Sequence, residues 1–143
     1  MIIPDINLLV YAHNDQAPAH APARKWWESL MNGTTPVGMP WLCLSGYVRL
    51  MTHPRVLVRP MEVEDAFGHV RQWLARPVVR VIHPGSRFAD LFFGFLGELG
   101  SAGNLTTDAQ LAALAVENQA DLHSCDTDFA RFPGLRWLNP LEG

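Results

Sequence analysis

Four acidic residues occupy positions from which they could act together. Asp5 directly follows a short apolar segment, Asp108 lies near the start of an Ala- and Leu-rich stretch, and Asp126 and Asp128 follow a later apolar segment. If these segments are strands and helices of one α/β sheet structure, the four carboxylates would converge at one edge of the sheet. Crowded carboxylates repel unless a cation neutralises them. The pattern therefore indicates a Mg²⁺ or Mn²⁺ site at which an activated water could hydrolyse a phosphodiester without a covalent intermediate.

Each of these residues also has an interpretation that needs no metal. Asp5 could cap the turn that follows it, Asp108 could complement the dipole of a helix, and Asp126 or Asp128 could form Asx turns. These alternatives explain the residues singly, but caps and turns have no reason to gather at one end of a sheet. The metal site is therefore the stronger hypothesis for the four together.

Short apolar runs alternate with longer stretches of helical periodicity. Pro4 ends the first strand, Asn32 and Gly33 end the first helix, and Ser86 is the predicted N-cap of a helix that ends at Gly100. The predicted strands cover residues 1–3, 36–39, 78–82, 121–124 and 136–138, and the predicted helices 18–31, 41–51, 62–74, 87–99 and 106–118. This alternation predicts one domain, residues 1–143, built as a three-layer α/β/α sandwich with a mostly parallel central sheet. Ligands bind such sheets outside the carboxyl ends of the strands.

The composition is that of an intracellular globular protein. Hydrophobic residues make up 48% and charged residues 17% of the 143, enough for one core. The amino terminus has no signal-peptide pattern and no apolar run is long enough to cross a bilayer, so we expect a cytoplasmic protein without membrane contact. Cys43 and Cys125 are too few for a disulfide framework or a zinc site, and we expect both to be reduced.

The charge is compatible with an enzyme that acts on RNA. A net charge of −3 argues against non-specific coating of DNA. Of the 11 basic residues all except Lys25 are arginines, whose planar guanidinium suits phosphate. Arg49, Arg87 and Arg131 are the candidates for phosphate contact, although each could be an ordinary solvated residue. The tryptophans could stack on bases, but their apolar neighbours favour core or interface positions.

Three segments around the carboxylates resemble motifs of the PIN-domain ribonucleases. Residues 5–9 resemble the opening motif of that family, residues 104–109 its third acidic motif and residues 124–129 its fourth. Their order and spacing match over nearly the whole chain. Further segments resemble the VapC toxins in particular: Pro40-Trp41, Arg49-Leu50, residues 52–55 and residues 129–135.

The resemblance implies a PIN-like fold and a toxin that cleaves RNA with Mg²⁺ or Mn²⁺. It implies that Asp5, Asp108 and Asp126 are catalytic metal ligands, with Asp128 as an outer or water-mediated partner. It also implies that a VapB-type antitoxin holds the toxin inactive and that the toxin forms a homodimer.

Toxins of this type are bound by an antitoxin segment, commonly as a helix in an apolar trough. The candidate lining residues of such a trough are Trp27, Trp41, Tyr47 and Met51.

One position departs from the family pattern. PIN domains generally carry a glutamate on the helix after the second strand, and Gly46 stands at the aligned position. The missing carboxylate suggests weaker metal binding, or binding that depends on the substrate phosphate. It also keeps an alternative function open, namely a catalytically weak protein of the same fold that acts by binding antitoxin or RNA.

Other classes of function lack a required residue. No P-loop, H-E-x-x-H or G-x-S-x-G pattern occurs, which argues against the commonest nucleotide triphosphatases, zinc proteases and serine hydrolases. A phosphoacceptor receiver domain needs a lysine after a late strand, and Lys25 lies near the start of the chain. A phosphatase with an aspartate nucleophile needs a second aspartate two residues later, where this chain has Asn7.

Overall fold

Five short runs of residues form the central sheet. The computed structural model describes residues 1–100 and 103–142 of the chain. All neighbouring strands pair in parallel, in the order β3-β2-β1-β4-β5. The strands are β1 (Ile2–Pro4), β2 (Val37–Pro40), β3 (Val79–Ile82), β4 (Asp121–His123) and β5 (Arg136–Leu138). The prediction of a mostly parallel sheet is confirmed.

Helices cover both faces of this sheet. In the described ranges they are α1 (Ile6–His13), α2 (His20–Met31), α3 (Trp41–Met51), α4 (Val63–Leu74), α5 (Phe88–Leu99) and α6 (Thr106–Glu117), with short 3-10 helices at Gly103–Leu105 and Thr127–Arg131. Helix α1 packs on α2 and α3, and α3 on α4, whereas α5 packs on α6. Because parallel crossovers are right-handed, the two groups fall on opposite faces, which gives the predicted α/β/α sandwich.

The order in which strands are added to the sheet changes side at β1, although all strands stay parallel. From β1 the chain moves outward through β2 to β3, and then returns to form β4 on the other side of β1. Ile2 lies opposite Asp121 and Pro4 lies opposite His123, so β1 and β4 end level with each other. The segments that follow these two strands therefore leave the sheet side by side, at the type of position where open parallel sheets bind ligands.

The sequence pattern does not predict α1, which begins directly after Asp5. Most of its side chains are buried: Ile6, Leu8, Leu9, Val10 and Ala12. A helix that is apolar on nearly all sides lacks the alternation with polar residues by which a helix is recognised in a sequence. The turn expected after β1 is therefore the N-cap of a helix.

The amino terminus of α5 is capped by a distant residue, and the prediction of Ser86 as its N-cap is wrong. The helix begins at Phe88. The backbone N–H groups of Gly85 and Arg87 donate to the two carboxylate oxygens of Glu117, at 2.8 and 2.9 Å. A carboxylate from the end of α6 thus occupies the place where the helix dipole favours negative charge.

The other expected elements lie close to their observed bounds. Helix α2 begins at His20 instead of Pro18, and β1 includes Pro4. Cys43 and Cys125 are free thiols, as expected. Over residues 1–100 and 103–142, no helix has both the length and the apolar character needed to span a bilayer.

Candidate active site

Asp5 is a buried carboxylate at the end of the central strand. It is the N-cap of α1, and its Oδ1 accepts a hydrogen bond from the Ile6 N–H at 2.7 Å. Its Oδ2 accepts from the Ser124 hydroxyl at 2.7 Å, and the residue is 6% exposed. Burial raises the pKa of Asp5 and the charge of Asp126 adds to this, against the two hydrogen bonds, which favour the charged form. The capping role and a place in the site therefore belong to the same side chain.

Ser124 joins the ends of β1 and β4. Its side chain is fully buried, and besides donating to Asp5 its oxygen accepts from the Asp126 N–H at 3.0 Å. The Oδ1 of Asp126 accepts in turn from the Asp128 N–H at 2.9 Å, where the 3-10 helix Thr127–Arg131 begins. The Asx turn considered as an alternative is thus present, and it orients Asp126 within the site.

Asp108 reaches the same place from the first turn of α6. One carboxylate oxygen from each of Asp108, Asp126 and Asp128 lies within 4.8 Å of the other two. The pKa of Asp108 is raised to about 7, first by burial and then by the charges of Asp5, Asp126 and Asp128. Of the four carboxylates singled out in the sequence, three therefore form a tight group that we call the acidic cluster. Asp5 lies outside this group, but near enough for its charge to raise the pKa of Asp108.

The acidic cluster has the donor chemistry of a hard divalent cation. Mg²⁺ takes oxygen ligands at about 2.0–2.1 Å, so two ligands on opposite sides of one ion are about 4 Å apart. Oxygens within 4.8 Å of one another can reach a shared ion with small side-chain movements. In the described part of the chain, the one ion pair of these carboxylates is a 3.9 Å contact from Arg131 Nε to Asp128 Oδ1. That exposed contact leaves the charge of the cluster largely uncompensated.

The three arginines considered for phosphate contact lie in different places. Arg131 is beside the acidic cluster through its contact with Asp128. Arg87 precedes α5 and Arg49 lies in the last turn of α3; both are exposed, and neither forms an ion pair with the described carboxylates. Of the three, Arg131 is thus the one that contacts the acidic cluster, and phosphate contact stays a prediction for all three.

Gly46, the departure from the family pattern, is packed against α1. A Cβ atom on Gly46 would lie 2.6 Å from Cδ1 and 3.3 Å from Cγ1 of Ile6. Ile6 is 9% exposed and is the residue that follows Asp5. The space beside Gly46, the position aligned with the family glutamate, is therefore filled by the side chain of Ile6 from α1.

The expected antitoxin trough is only partly supported. Tyr47 and Met51 are fully buried, so the prediction that they line a surface trough is wrong: both belong to the core between the helices. Trp27 is 4% exposed, whereas Trp41 is 52% exposed at the edge of an apolar groove between α3 and α4. The packing of the neighbouring helices decides which of these side chains is covered, and that packing cannot be seen in the sequence.

Ser124 is a site residue for which the sequence predicts no role. A serine two residues before Asp126 is nevertheless a pattern that can form a local side-chain to backbone bond, and this bond is present. Its bond to Asp5 joins residues 119 positions apart. The hydrogen bond from Trp26 Nε1 to His123 Nδ1, at 3.0 Å, likewise joins residues far apart in the sequence, and it ties α2 to the end of β4.

The fold and the acidic cluster point to a known class of protein. The family model described as PIN domain matches residues 2–135, so the chain belongs to the PIN-domain family. Within that family the chain is similar to the VapC ribonucleases. Ribonuclease VapC33 of Mycobacterium tuberculosis (strain ATCC 25618 / H37Rv) is 48% identical over 142 residues, which are 99% of each chain.

Solved structures with the same fold include toxin–antitoxin proteins. VapBC2 from Rickettsia felis, bound to a DNA fragment from its promoter, matches with a TM-score of 0.69 and 20% identity, covering 97% of this chain and 98% of that one. Mycobacterium tuberculosis VapC20, described as a toxin that cleaves the sarcin–ricin loop, matches with a TM-score of 0.69 and 19% identity over 95% and 99% of the two chains. At these identities the likeness concerns the fold.

Proposed function

We propose that this protein is a metal-dependent endoribonuclease and the toxin of a type II toxin–antitoxin pair. The observation that carries the proposal is the acidic cluster of Asp108, Asp126 and Asp128, which stands beside Asp5 at the switch point of a parallel sheet. The similarity to a VapC ribonuclease over 99% of the chain supports RNA as the substrate. We also propose that residues 1–143 form a single PIN-like domain.

Asp5, Asp108, Asp126 and Asp128 would hold Mg²⁺ or Mn²⁺. When bound, such an ion polarises the scissile phosphate and lowers the pKa of the attacking water. Ser124 holds Asp5 and Asp126 in fixed relation through bonds of 2.7 and 3.0 Å. The exposed guanidinium of Arg131 lies within reach of a phosphate that approaches the cluster, with Arg49 and Arg87 as more distant contacts for the RNA backbone.

A cleavage assay on a structured RNA tests the proposal. The purified chain is incubated with Mg²⁺, with Mn²⁺ and with EDTA, beside Asp5→Asn and Asp108→Asn. We expect cleavage that needs the metal and is abolished by either substitution. Asp90→Asn, a similar change of an exposed aspartate on α5, is the control and leaves cleavage intact. Cleavage that survives both site substitutions would identify a contaminating nuclease and overturn the proposal.

The packing of Ile6 against Gly46 favours one alternative. With no carboxylate from α3, the protein could have kept the fold and its binding surfaces and lost turnover. This alternative predicts that the chain binds RNA or antitoxin but cleaves no RNA at any Mn²⁺ concentration. The cleavage assay therefore separates the two functions directly.

The partners follow from the same proposal. A VapB-type antitoxin would bind the chain, the chain would form a homodimer, and both would be cytoplasmic, where the RNA lies. The likeness of the fold to VapBC2 and the exposed apolar groove at Trp41 support an antitoxin partner. Co-expression with the small protein encoded by the neighbouring reading frame should yield a complex that does not cleave RNA, and failure to co-purify would contradict this part.

A further inference from the structure

A cleft separate from the acidic cluster opens between the end of α1, the middle of α2 and the end of α4. Its volume is about 600 Å³, within the range of about 300–1,000 Å³ usual for small-molecule sites. Aromatic rings lie at its floor and charged or amide groups at its rim, and the apolar Met31 and Ala75 complete the lining. The residues used below are His13, Arg24, Trp27, Gln72, Trp73 and Arg76.

The floor is rigid and aromatic. Trp27 and Trp73 meet edge to face with ring centroids 5.3 Å apart, and they are 4% and 5% exposed. The His13 ring lies 5.2 Å from the Trp73 ring. These rings are held by the core and show the cleft little more than their edges, so a ligand would meet a preformed apolar floor and would not stack on a free ring face.

His13 offers this floor a hydrogen-bond acceptor. Its Nδ1 donates to the Leu9 carbonyl at 2.7 Å, which leaves Nε2 without a proton. No fully buried side-chain nitrogen in the described residues lacks a partner, so Nε2, for which the structure shows no bond, keeps some accessible surface. Burial lowers the pKa of His13 to about 4, and the ring therefore stays neutral near pH 7.

The rim is cationic. The Arg24 Nε donates to Glu28 at 2.8 Å, which orients the guanidinium and leaves its other N–H groups for a ligand. Arg76 is exposed and pairs with no carboxylate of the described chain. Gln72 adds an amide beside them. Two guanidinium groups against one carboxylate favour an anionic ligand.

We propose that this cleft binds one nucleotide of the RNA substrate, with the edge of its base against His13 and the aromatic floor and its phosphate at Arg24 and Arg76. The inference rests on the proposed ribonuclease function and extends it. Asp5 is the N-cap of α1 and His13 is its last residue, so about 12 Å of helix separates Asp5 from the cleft. A single strand cut at the acidic cluster can therefore place a flanking nucleotide in the cleft.

The groove between α3 and α4 gives a useful contrast. Its lining is mostly apolar, from Trp41, Leu44, Val48, Phe67, Val70 and Leu74, with Arg71 stacked over Phe67. Such a surface suits an apolar side chain of a protein partner. The cleft beside His13, with its cations and its acceptor, suits a nucleotide instead.

Binding measurements in an inactive background test the proposal. Asp108→Asn prevents cleavage, and anisotropy of a labelled mixed-sequence single-stranded RNA gives affinity at several salt concentrations. Arg24→Gln and Arg76→Gln should each weaken binding and reduce the slope of log K against log salt by about 0.7, the value for one phosphate contact on a single strand. Lys25→Gln, the same loss of charge one position along α2, is the matched control and should leave the slope unchanged.

A further variant separates the base from the phosphate. His13→Phe keeps an aromatic ring but removes the acceptor, so we expect a loss of roughly two- to tenfold in affinity with an unaltered salt slope. Thermal unfolding of each variant checks that the fold is retained.

The failures are distinguishable. If the native chain cleaves RNA while Arg24→Gln and Arg76→Gln bind like Lys25→Gln, the cleft proposal is overturned and the ribonuclease stands. If the native chain cleaves no RNA and the inactive background binds none, the proposed function itself fails. An antitoxin peptide that occupies the cleft without displacing RNA would also overturn the cleft proposal.

Discussion

Asp5 stands between two unlike neighbourhoods. Towards β4 it meets the polar group formed by Ser124 and the acidic cluster, with short hydrogen bonds and a shared negative charge. Towards α3 it is followed by Ile6, which packs on Gly46, while Cys43 donates to the Pro4 carbonyl at 3.5 Å. The carboxylates of this site therefore come from the ends of β1 and β4 and from α6, whereas α3 supplies packing.

The largest expected effect lies on the polar side. Asp126→Asn removes a carboxylate from the acidic cluster, and we expect RNA cleavage to fall more than about 100-fold, beyond the loss typical of residues that only support a ligand. The melting temperature in EDTA should stay level or rise, because one like charge has left a crowded group. Cleavage rates and thermal scans of Asp126→Asn measure both effects. Retained cleavage, or a large loss of stability, would contradict the view that the side of Asp5 facing β4 serves chemistry and the side facing α3 serves packing.

Ser124 allows a finer test of the polar side. Ser124→Ala removes the donor to Asp5 and the acceptor for the Asp126 N–H, and we expect Mn²⁺ affinity to fall about 10- to 100-fold. Without the Ser124 donor, Asp5 holds its proton to higher pH, so in a plot of cleavage rate against pH the acid limb should move to higher pH. Ser45→Ala, an exposed serine on α3, is the control. An unchanged profile would reduce Ser124 to a purely structural residue.

On the apolar side the expected effect is on stability. Gly46→Ala places a methyl group 2.6 Å from Cδ1 of Ile6. Overpacking costs about 1–3 kcal/mol, against a gain of up to about 1 kcal/mol in helix propensity, so we expect net destabilisation. Gly68→Ala on α4 is the matched control, since no atom lies within 4 Å of its Cβ, and it should stabilise by about 0.5–1 kcal/mol.

The double variant makes this test specific. Ile6→Val removes the atom in closest approach, so Gly46→Ala should cost less in that background. Mn²⁺ affinity should change little in either single variant. Equal cost of Gly46→Ala in both backgrounds would show that the Ile6 contact is not the cause. The same contact explains why Gly46→Glu alone is not expected to add a metal ligand.

The convergence of the carboxylates could be predicted from the sequence because it follows from simple rules. Apolar runs ended by Asp5 and by Ser124 indicate strands, and parallel strands end at one edge of a sheet. The acid in the first turn of α6 then falls at the same edge.

What could not be predicted depends on tertiary contacts. Helix α1 has no polar face to mark it, and Glu117 caps α5 from 30 residues away, so Ser86 was the best local candidate. Tyr47 is buried because α4 brings His69 to its hydroxyl at 2.7 Å. The fit of Ile6 to Gly46 likewise exists only once α1 and α3 are packed, so the sequence showed a missing glutamate but not what fills its place.

The smallest expected effect concerns pH and comes from Asp108. Its pKa of about 7 in the folded chain lies above the unfolded value of 3.8, so the metal-free fold holds an extra proton between these values. The stability that this provides is complete at low pH and is lost as pH rises towards 7 and beyond. In EDTA, the melting temperature of the native chain should therefore fall relative to Asp108→Asn between pH 5 and 8.

The shift should be only a few degrees, because the group is partly exposed and screened by solvent. The pKa values of His13, His69 and His123 are also lowered, but these residues are present in both the native protein and Asp108→Asn. Their effect therefore cancels in the difference between the two melting temperatures. Mn²⁺ should reverse the trend, since it binds the ionised carboxylates of the folded chain and stabilises it more at higher pH. A difference between the two chains that does not vary with pH in EDTA would mean that Asp108 is ionised throughout, and that the polar side of Asp5 is less crowded than the geometry indicates.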